Sequence, residues 1–232
     1  MNPIRLSERL LAVASFVEQG AVVADIGSDH AYLPSYLIKE GIIQKAIAGE
    51  VAIGPFESAK NNVVRQGIEN RVTVRLGNGL AAVDENDRVD TITIAGMGGS
   101  LIATILMEGI EKLLGVKRII VQPNIHAKGI REWATVNEWK IVNEAILKED
   151  GKIYEVLVLE RGTVIYDELE LLVGPFLLEE KNDAFIKKWH GEIIQWNQVL
   201  KAIEQASETP ETLKKIEQLT RNIRIVGEVL EK

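Results

Sequence analysis

Along the first 160 residues the apolar positions change period repeatedly, and the changes outline an alternating fold. Ile4, Leu6, Leu10, Leu11, Ala14 and Val17 recur at helical spacing, with Ser7 placed as an early cap. Ala21-Val22-Val23-Ala24-Asp25-Ile26-Gly27 is a short, mostly apolar run ending in glycine, the pattern of a strand buried on both faces. A helix is predicted from about Ala31 to Glu40, a strand at Ala46–Glu50, a helix from about Pro55 to Gly67 and a strand at Arg71–Val74. Val89–Ile94 reads as a fourth strand, followed by a glycine turn at residues 96–99 and a helix. Arg118–Val121 reads as a fifth strand, with a helix near residues 127–138. Strands alternating with helices predict right-handed crossovers and a mostly parallel sheet.

Past residue 139 the rhythm changes. Lys140–Lys148 and Lys152–Glu160 are strand-like and are separated by Glu149-Asp150-Gly151. Asp-Gly between two such runs is a strong hairpin signal. Five parallel strands closed by an antiparallel hairpin form the α/β sheet of class I, Rossmann-like methyltransferases; a plain dinucleotide fold more often adds a sixth parallel strand. Beyond Gly162 the pattern is helical. Phe185, Trp189, Ile193, Trp196, Leu200 and Ile203 make one heptad-like seam, and Leu213, Ile216, Leu219, Ile223, Val226 and Leu230 a second. Thr209-Pro210 is a helix start between them. Two domains are therefore expected: an α/β domain over residues 1–162 and a C-terminal helical hairpin over residues 163–232. The hairpin either packs or dimerises, or it docks a substrate. A monomer is the working expectation.

Composition narrows the classes. The chain has no cysteine, so disulfides and cysteine-held metal are excluded, and the three histidines (His30, His126 and His190) have no ligand spacing. No metal is expected. A net charge of −7 argues against a non-specific nucleic-acid binder without excluding a local basic patch. No apolar stretch approaches the roughly 20 residues of a membrane span, and the N-terminus lacks a signal-peptide core. A cytoplasmic protein is expected.

Candidate chemistry collects at the ends of the predicted strands. Asp25-Ile26-Gly27-Ser28-Asp29-His30-Ala31 ends the first strand; it either turns the chain around a ligand or simply caps the next helix through Ser28 or Asp29. Its spacing is not G-x-G-x-x-G, and Asp29 in such a loop would repel a pyrophosphate but attract a sulfonium. Glu50 ends the second strand, at the position where an acidic residue holds ribose hydroxyls in nucleotide-binding folds. Gly77-Asn78-Gly79 follows the third strand, and Asn78 offers both donor and acceptor to an adenine edge. Ala95-Gly96-Met97-Gly98-Gly99 ends the fourth strand and Gln122-Pro123-Asn124 the fifth. Open sheets bind ligands at the carboxyl ends of their strands, so this coincidence points to a nucleotide-type cofactor. There is no P-loop and no Gly-x-Ser-x-Gly turn.

Taken together, Asp25 to Pro34, Gly77-Asn78-Gly79-Leu80, Ala95 to Gly99 and Gln122-Pro123-Asn124 resemble the bacterial tRNA (adenine-22-N1) methyltransferases, over essentially the whole chain. The resemblance implies S-adenosylmethionine as methyl donor and N1 of an adenine in the tRNA D-arm as acceptor. The family often has Asp where this chain has Asn78; an amide there still suits adenine. In this reading the cofactor is bound by Asp25, Gly27, Ser28, Glu50, Gly77, Asn78, Gly79, Ala95, Gly96 and Met97. Asp29 and Asn124 are the candidates for chemistry. Arg5, Arg9, His30, Gly98, Gln122 and Pro123 meet the substrate, and Lys187, Lys188, Lys214 and Lys215 are further bases for the tRNA backbone. The alternatives are a methyltransferase or NAD-type oxidoreductase for small molecules, and a binding module without catalysis.

Overall fold

The computed structural model describes residues 4–203 and 209–231. The chain divides into two compact units, with the boundary between Tyr166 and Asp167.

The first unit opens with helix α1 (Glu8–Ser15), which Ser7 caps by accepting from the Leu10 N–H. Strand β1 (Val22–Ile26) leads to α2 (Tyr32–Lys39), β2 (Lys45–Glu50), α3 (Ile53–Arg65) and β3 (Val72–Leu76). Then come β4 (Thr91–Gly98), α4 (Gly99–Glu108), β5 (Arg118–Ile125) and α5 (Ala127–Val136). The hairpin strands β6 (Trp139–Glu149) and β7 (Lys152–Arg161) close the unit. The seven strands lie in one sheet in the order β3-β2-β1-β4-β5-β7-β6. β1 to β5 are mutually parallel where they pair, and β7 is antiparallel to both β5 and β6. This is the expected α/β arrangement.

Burial explains why each segment took its form. Val23, Ala24, Ile94, Ile119, Ile120 and Val121 are essentially inaccessible, as parallel strands covered on both faces must be. β6 alternates buried and accessible positions along its first half, the signature of an edge strand with one face on the core. Asp150 (φ +48) and Gly151 (φ +78) form the two-residue turn between β6 and β7; left-handed geometry at both matches the twist of a hairpin.

β4 differs from expectation in one respect. It does not stop at Ile94 but continues to Gly98 alongside β5, with register shifts at Ala95/Met97 and Met97/Gly98. The glycine segment expected as a turn is thus an irregular strand end, in which Gly96 takes φ +79. Gly99 begins α4 tightly against the start of α5, where a Cβ would overlap the His126 carbonyl.

A charged cluster is buried beside β6 and β7. Arg131 of α5 donates through Nε to Glu144 (2.8 Å) and through Nη2 to Glu155 (2.5 Å), and all three are buried.

In the second unit, α6 (Glu168–Val173) and α7 (Pro175–Glu180) precede the long helices α8 (Asp183–Ile203) and α9 (Pro210–Leu230). The sequence reading missed α6 and α7. They are short, although Asp167 and Glu170 form a capping box that marks the first. Thr209 caps α9 as expected, with Pro210 in its first turn. Lys181, just before α8, reaches the Val229 carbonyl near the end of α9, so the two helices run antiparallel. Phe185 and Trp189 are buried on α8, and Trp196 continues their line at 6.1 Å from Trp189. On α9 the buried stripe is Leu219, Asn222, Val226 and Val229, whereas Leu213 of the expected seam is half exposed.

Arg131→Met should leave two buried carboxylates without their shared cation. The expected cost at neutral pH is about 3–5 kcal/mol, read as the unfolding free energy in urea. A loss below about 1 kcal/mol, the scale of a surface pair, would mean that water reaches the carboxylates.

Candidate functional site

The carboxyl ends of β1 to β5 form one rim, and their terminal residues are joined by hydrogen bonds. Asp25 lies beneath it, almost wholly buried. Its Oδ2 accepts from Ser28 Oγ (2.5 Å) and its Oδ1 from Thr93 Oγ1 of β4 (2.7 Å). Burial pushes its pKa up to about 6, opposed by those two hydroxyls and reinforced by the negative charge of Glu50. Asp25 and Ser28 are therefore braces of the first loop: both carboxylate oxygens are engaged from within the protein.

Above them the chain makes an uncommon turn. Asp29, His30 and Ala31 take φ values of +40, +62 and +55 in succession. Left-handed geometry costs a non-glycine residue roughly 1–2 kcal/mol, so neighbouring groups must hold it. Glu50, at the end of β2, accepts from the Asp29 N–H (2.5 Å). Asn62 of α3, buried, donates to the His30 carbonyl (2.8 Å). Burial raises the pKa of Glu50, offset in part by the Asp29 N–H. No side chain caps α2, whose N-cap position is Ala31 itself. The helix-cap alternative for Ser28 and Asp29 is thereby removed. The Asp29 side chain is 83% exposed and lies 3.5 Å from His30 Nε2. The His30 ring stacks on Tyr32, which is also accessible.

Gly27 (φ +68) passes under Met97, and any Cβ there would overlap the Met97 methyl group. Gly77 donates to the Glu50 carbonyl (2.8 Å), tying the β3 loop to β2. Asn78 is exposed beside Gly79. Along β4, Ala95, Met97 and Gly98 are partly accessible and Gly96 is exposed.

Gln122 is buried, and its Oε1 accepts from Arg9 Nη1 (2.7 Å) and from the Gly96 N–H (3.0 Å). Asn124, exposed at the end of β5, donates to the Gly96 carbonyl (2.8 Å) and accepts from Gln122 (3.3 Å). Pro123 is buried.

Several expected site residues are placed differently from a free surface position. Arg9, expected on the tRNA backbone, turns its guanidinium inward to Gln122 and over the Tyr154 ring (5.7 Å). Gln122 and Pro123, expected to meet substrate, are buried near the end of β5. Arg5 is exposed. Four residues were missed: Thr93, Asn62, Tyr32 and Tyr154. Asn62 had a visible signal, since it shares the buried stripe of α3 with Ala59 and Val63.

The chain is similar to known proteins over nearly its whole length. The family model described as tRNA (adenine(22)-N(1))-methyltransferase matches residues 23–228. The Bacillus subtilis tRNA (adenine(22)-N(1))-methyltransferase is 46% identical over 100% of this chain and 99% of its own. The Streptococcus pneumoniae protein Sp1610, solved with S-adenosyl-L-methionine, is 45% identical, with a TM-score of 0.89 over 97% of this chain and 100% of that one. A Mycoplasma capricolum relative solved with S-adenosyl-homocysteine is 27% identical, with a TM-score of 0.84 over 97% and 99% of the two chains. With a match of this extent, the chain belongs to the tRNA (adenine(22)-N(1))-methyltransferase family.

Proposed function

We propose that this protein transfers a methyl group from S-adenosylmethionine to N1 of adenine 22 in the D-arm of tRNA, a reaction placed with its substrate in the cytoplasm. The observation that carries the reading is the rim itself, where Asp29, Glu50, Asn78, the Gly96 segment and Asn124 converge from five strand ends.

The residues fit such a cofactor. Glu50 keeps acceptor capacity at the strand end where ribose hydroxyls are held in this class of fold. The first loop carries carboxylates, which attract a cationic sulfonium and repel a pyrophosphate. When bound, S-adenosylmethionine supplies an electrophilic methyl group.

Adenine N1 has an in-plane lone pair and needs no deprotonation, so the site requires no general base. Its task is alignment, which can supply up to roughly 7–11 kcal/mol. N1 lies on the Watson–Crick edge, so the base must be unpaired or flipped to reach the rim. As the N–C bond forms the ring becomes cationic. Asp29 is exposed to offset that charge, and the Asn124 carbonyl can accept from the 6-amino group. The stacked His30 and Tyr32 rings offer the base a face. The helical second unit, bearing Lys187, Lys214 and Lys215 on accessible positions, is the docking arm for the tRNA backbone.

Incubation with methyl-labelled S-adenosylmethionine should label a tRNA carrying A22 and leave its G22 counterpart blank. Equal labelling of both would sink the assignment. Asp29→Asn keeps the backbone geometry, because asparagine tolerates left-handed φ, but removes the charge. Turnover should fall about 10²–10³-fold with an unchanged melting temperature; a parental rate would shift the role to Asn124. A chain ending after Tyr166 should retain cofactor binding by calorimetry and lose most tRNA affinity. Undiminished tRNA methylation by that chain would remove the docking role.

Asp25 generates a separate expectation. Its pKa of about 6 lies above the ordinary 3.8, so its protonated form contributes stability at low pH that is lost as pH rises through about 6. Asp25→Asn cannot ionise, and its melting temperature should gain on the parent's between about pH 4 and 7. A difference that stays flat across that range would place the titration elsewhere.

A further inference from the structure

Gln122, Asn124 and Gly96 form a relay whose direction is set at one end. Gln122 Oε1 receives both the Arg9 guanidinium (2.7 Å) and the Gly96 N–H (3.0 Å). Its Nε2 then donates to Asn124 Oδ1 (3.3 Å), and Asn124 Nδ2 donates to the Gly96 carbonyl (2.8 Å). A primary amide can be turned end for end with almost no change in shape, so shape alone does not choose this polarity. Arg9 does. A guanidinium has donors only, and a reversed Gln122 would set its NH2 against both that guanidinium and the Gly96 N–H. Gln122 is fully buried, so water is no substitute partner. Reversal would also aim the Gln122 oxygen at Asn124. Asn124 would then have to turn its own oxygen against the Gly96 carbonyl.

Arg9 is itself aimed by its surroundings. Ser7 caps α1, and Glu149 at the end of β6 accepts from the Glu8 N–H (2.5 Å) and the Arg9 N–H (3.5 Å) at the start of that helix. Tyr154 of β7 lies beneath the guanidinium. The closing hairpin thus seats the helix that carries Arg9.

We propose that Arg9 is a positioning residue for methylation: by donating to Gln122 alongside the Gly96 N–H it locks the direction of the Gln122–Asn124–Gly96 relay, and so fixes where Asn124 offers its acceptor and its donor to the adenine. The role rests on the reading of Asn124 as a contact of the base. It differs from the phosphate contact first expected of Arg9.

The test uses the full chain with Arg9→Met, Arg9→Lys and Gln122→Glu. Arg9→Met should lower kcat at saturating tRNA by about ten- to a hundredfold, the scale of a small misplacement. KM for tRNA, its salt dependence and the calorimetric cofactor affinity should stay unchanged. Arg9→Lys, still a donor-only cation, should restore most of the rate. Gln122→Glu can accept from Arg9 and Gly96 but cannot donate to Asn124, so it should match Arg9→Met. In the free protein, the Asn124 side-chain NH2 resonances should be sharp in the parent and exchange-broadened in Arg9→Met and Gln122→Glu. A raised KM with a weakened salt dependence and an intact kcat would make Arg9 a phosphate contact and overturn the proposal, as would unmoved amide signals. A parent protein inactive on tRNA would instead defeat the proposed function, while the amide signals would still judge the relay.

Discussion

The rim depends on a carboxylate that lies below it. Asp25 spans from the first loop to β4 through Ser28 and Thr93, and so fixes the spacing of the two central strand ends. Hydroxyls suit this position because each donates one short bond to a group that has been taken from water. The burial that makes the brace rigid also makes its charge costly, which is why its pKa is displaced upward. A neutral residue would be less costly to bury here.

From that base the chain holds a strained segment in place. Three consecutive left-handed residues would relax if free, yet Asp29–Ala31 is tied at its first N–H by Glu50 and at the His30 carbonyl by Asn62. Strain of this kind persists where the surroundings over-determine it, commonly at functional positions. The turn displays Asp29 and His30 outward and buries Ala31, an arrangement that an ordinary capped helix start would not give. Glu50 therefore acts twice in the proposed function, toward the cofactor and toward the loop that meets the base.

The features legible in the sequence are those written in local chemistry. Asp150-Gly151 demanded a two-residue hairpin, Thr209-Pro210 demanded a helix start, and unbroken apolar runs demanded a doubly covered sheet. The strand-end clusters could be located because the topology of such sheets gathers them. What stayed hidden was partnership across distance. Thr93 meets Asp25 across 68 positions, Asn62 meets His30 across 32, and Glu149 meets Glu8 across 141. No local pattern encodes such pairs. The direction of Arg9 was hidden for the same reason: an exposed-looking base near the N-terminus is read as a surface charge until Gln122 and Tyr154 are brought beside it. Leu213 failed differently. Its spacing fits the seam, but a pair of helices covers only one stripe of each.

The strand order has a consequence for how the protein comes into being. β1 is made early, but its neighbour β4 and the brace residue Thr93 arrive only after two other strands and their helices. The polypeptide leaving the ribosome must therefore keep β1 without its inner partner for tens of residues, its apolar edge open to mispairing. Arg9 waits longer still, until Gln122 and then Glu149 and Tyr154 have been translated. Assembly of the rim thus waits for the closing hairpin, with the whole helical second unit still to be translated, and a nascent chain cannot hold the arrangement before that hairpin exists.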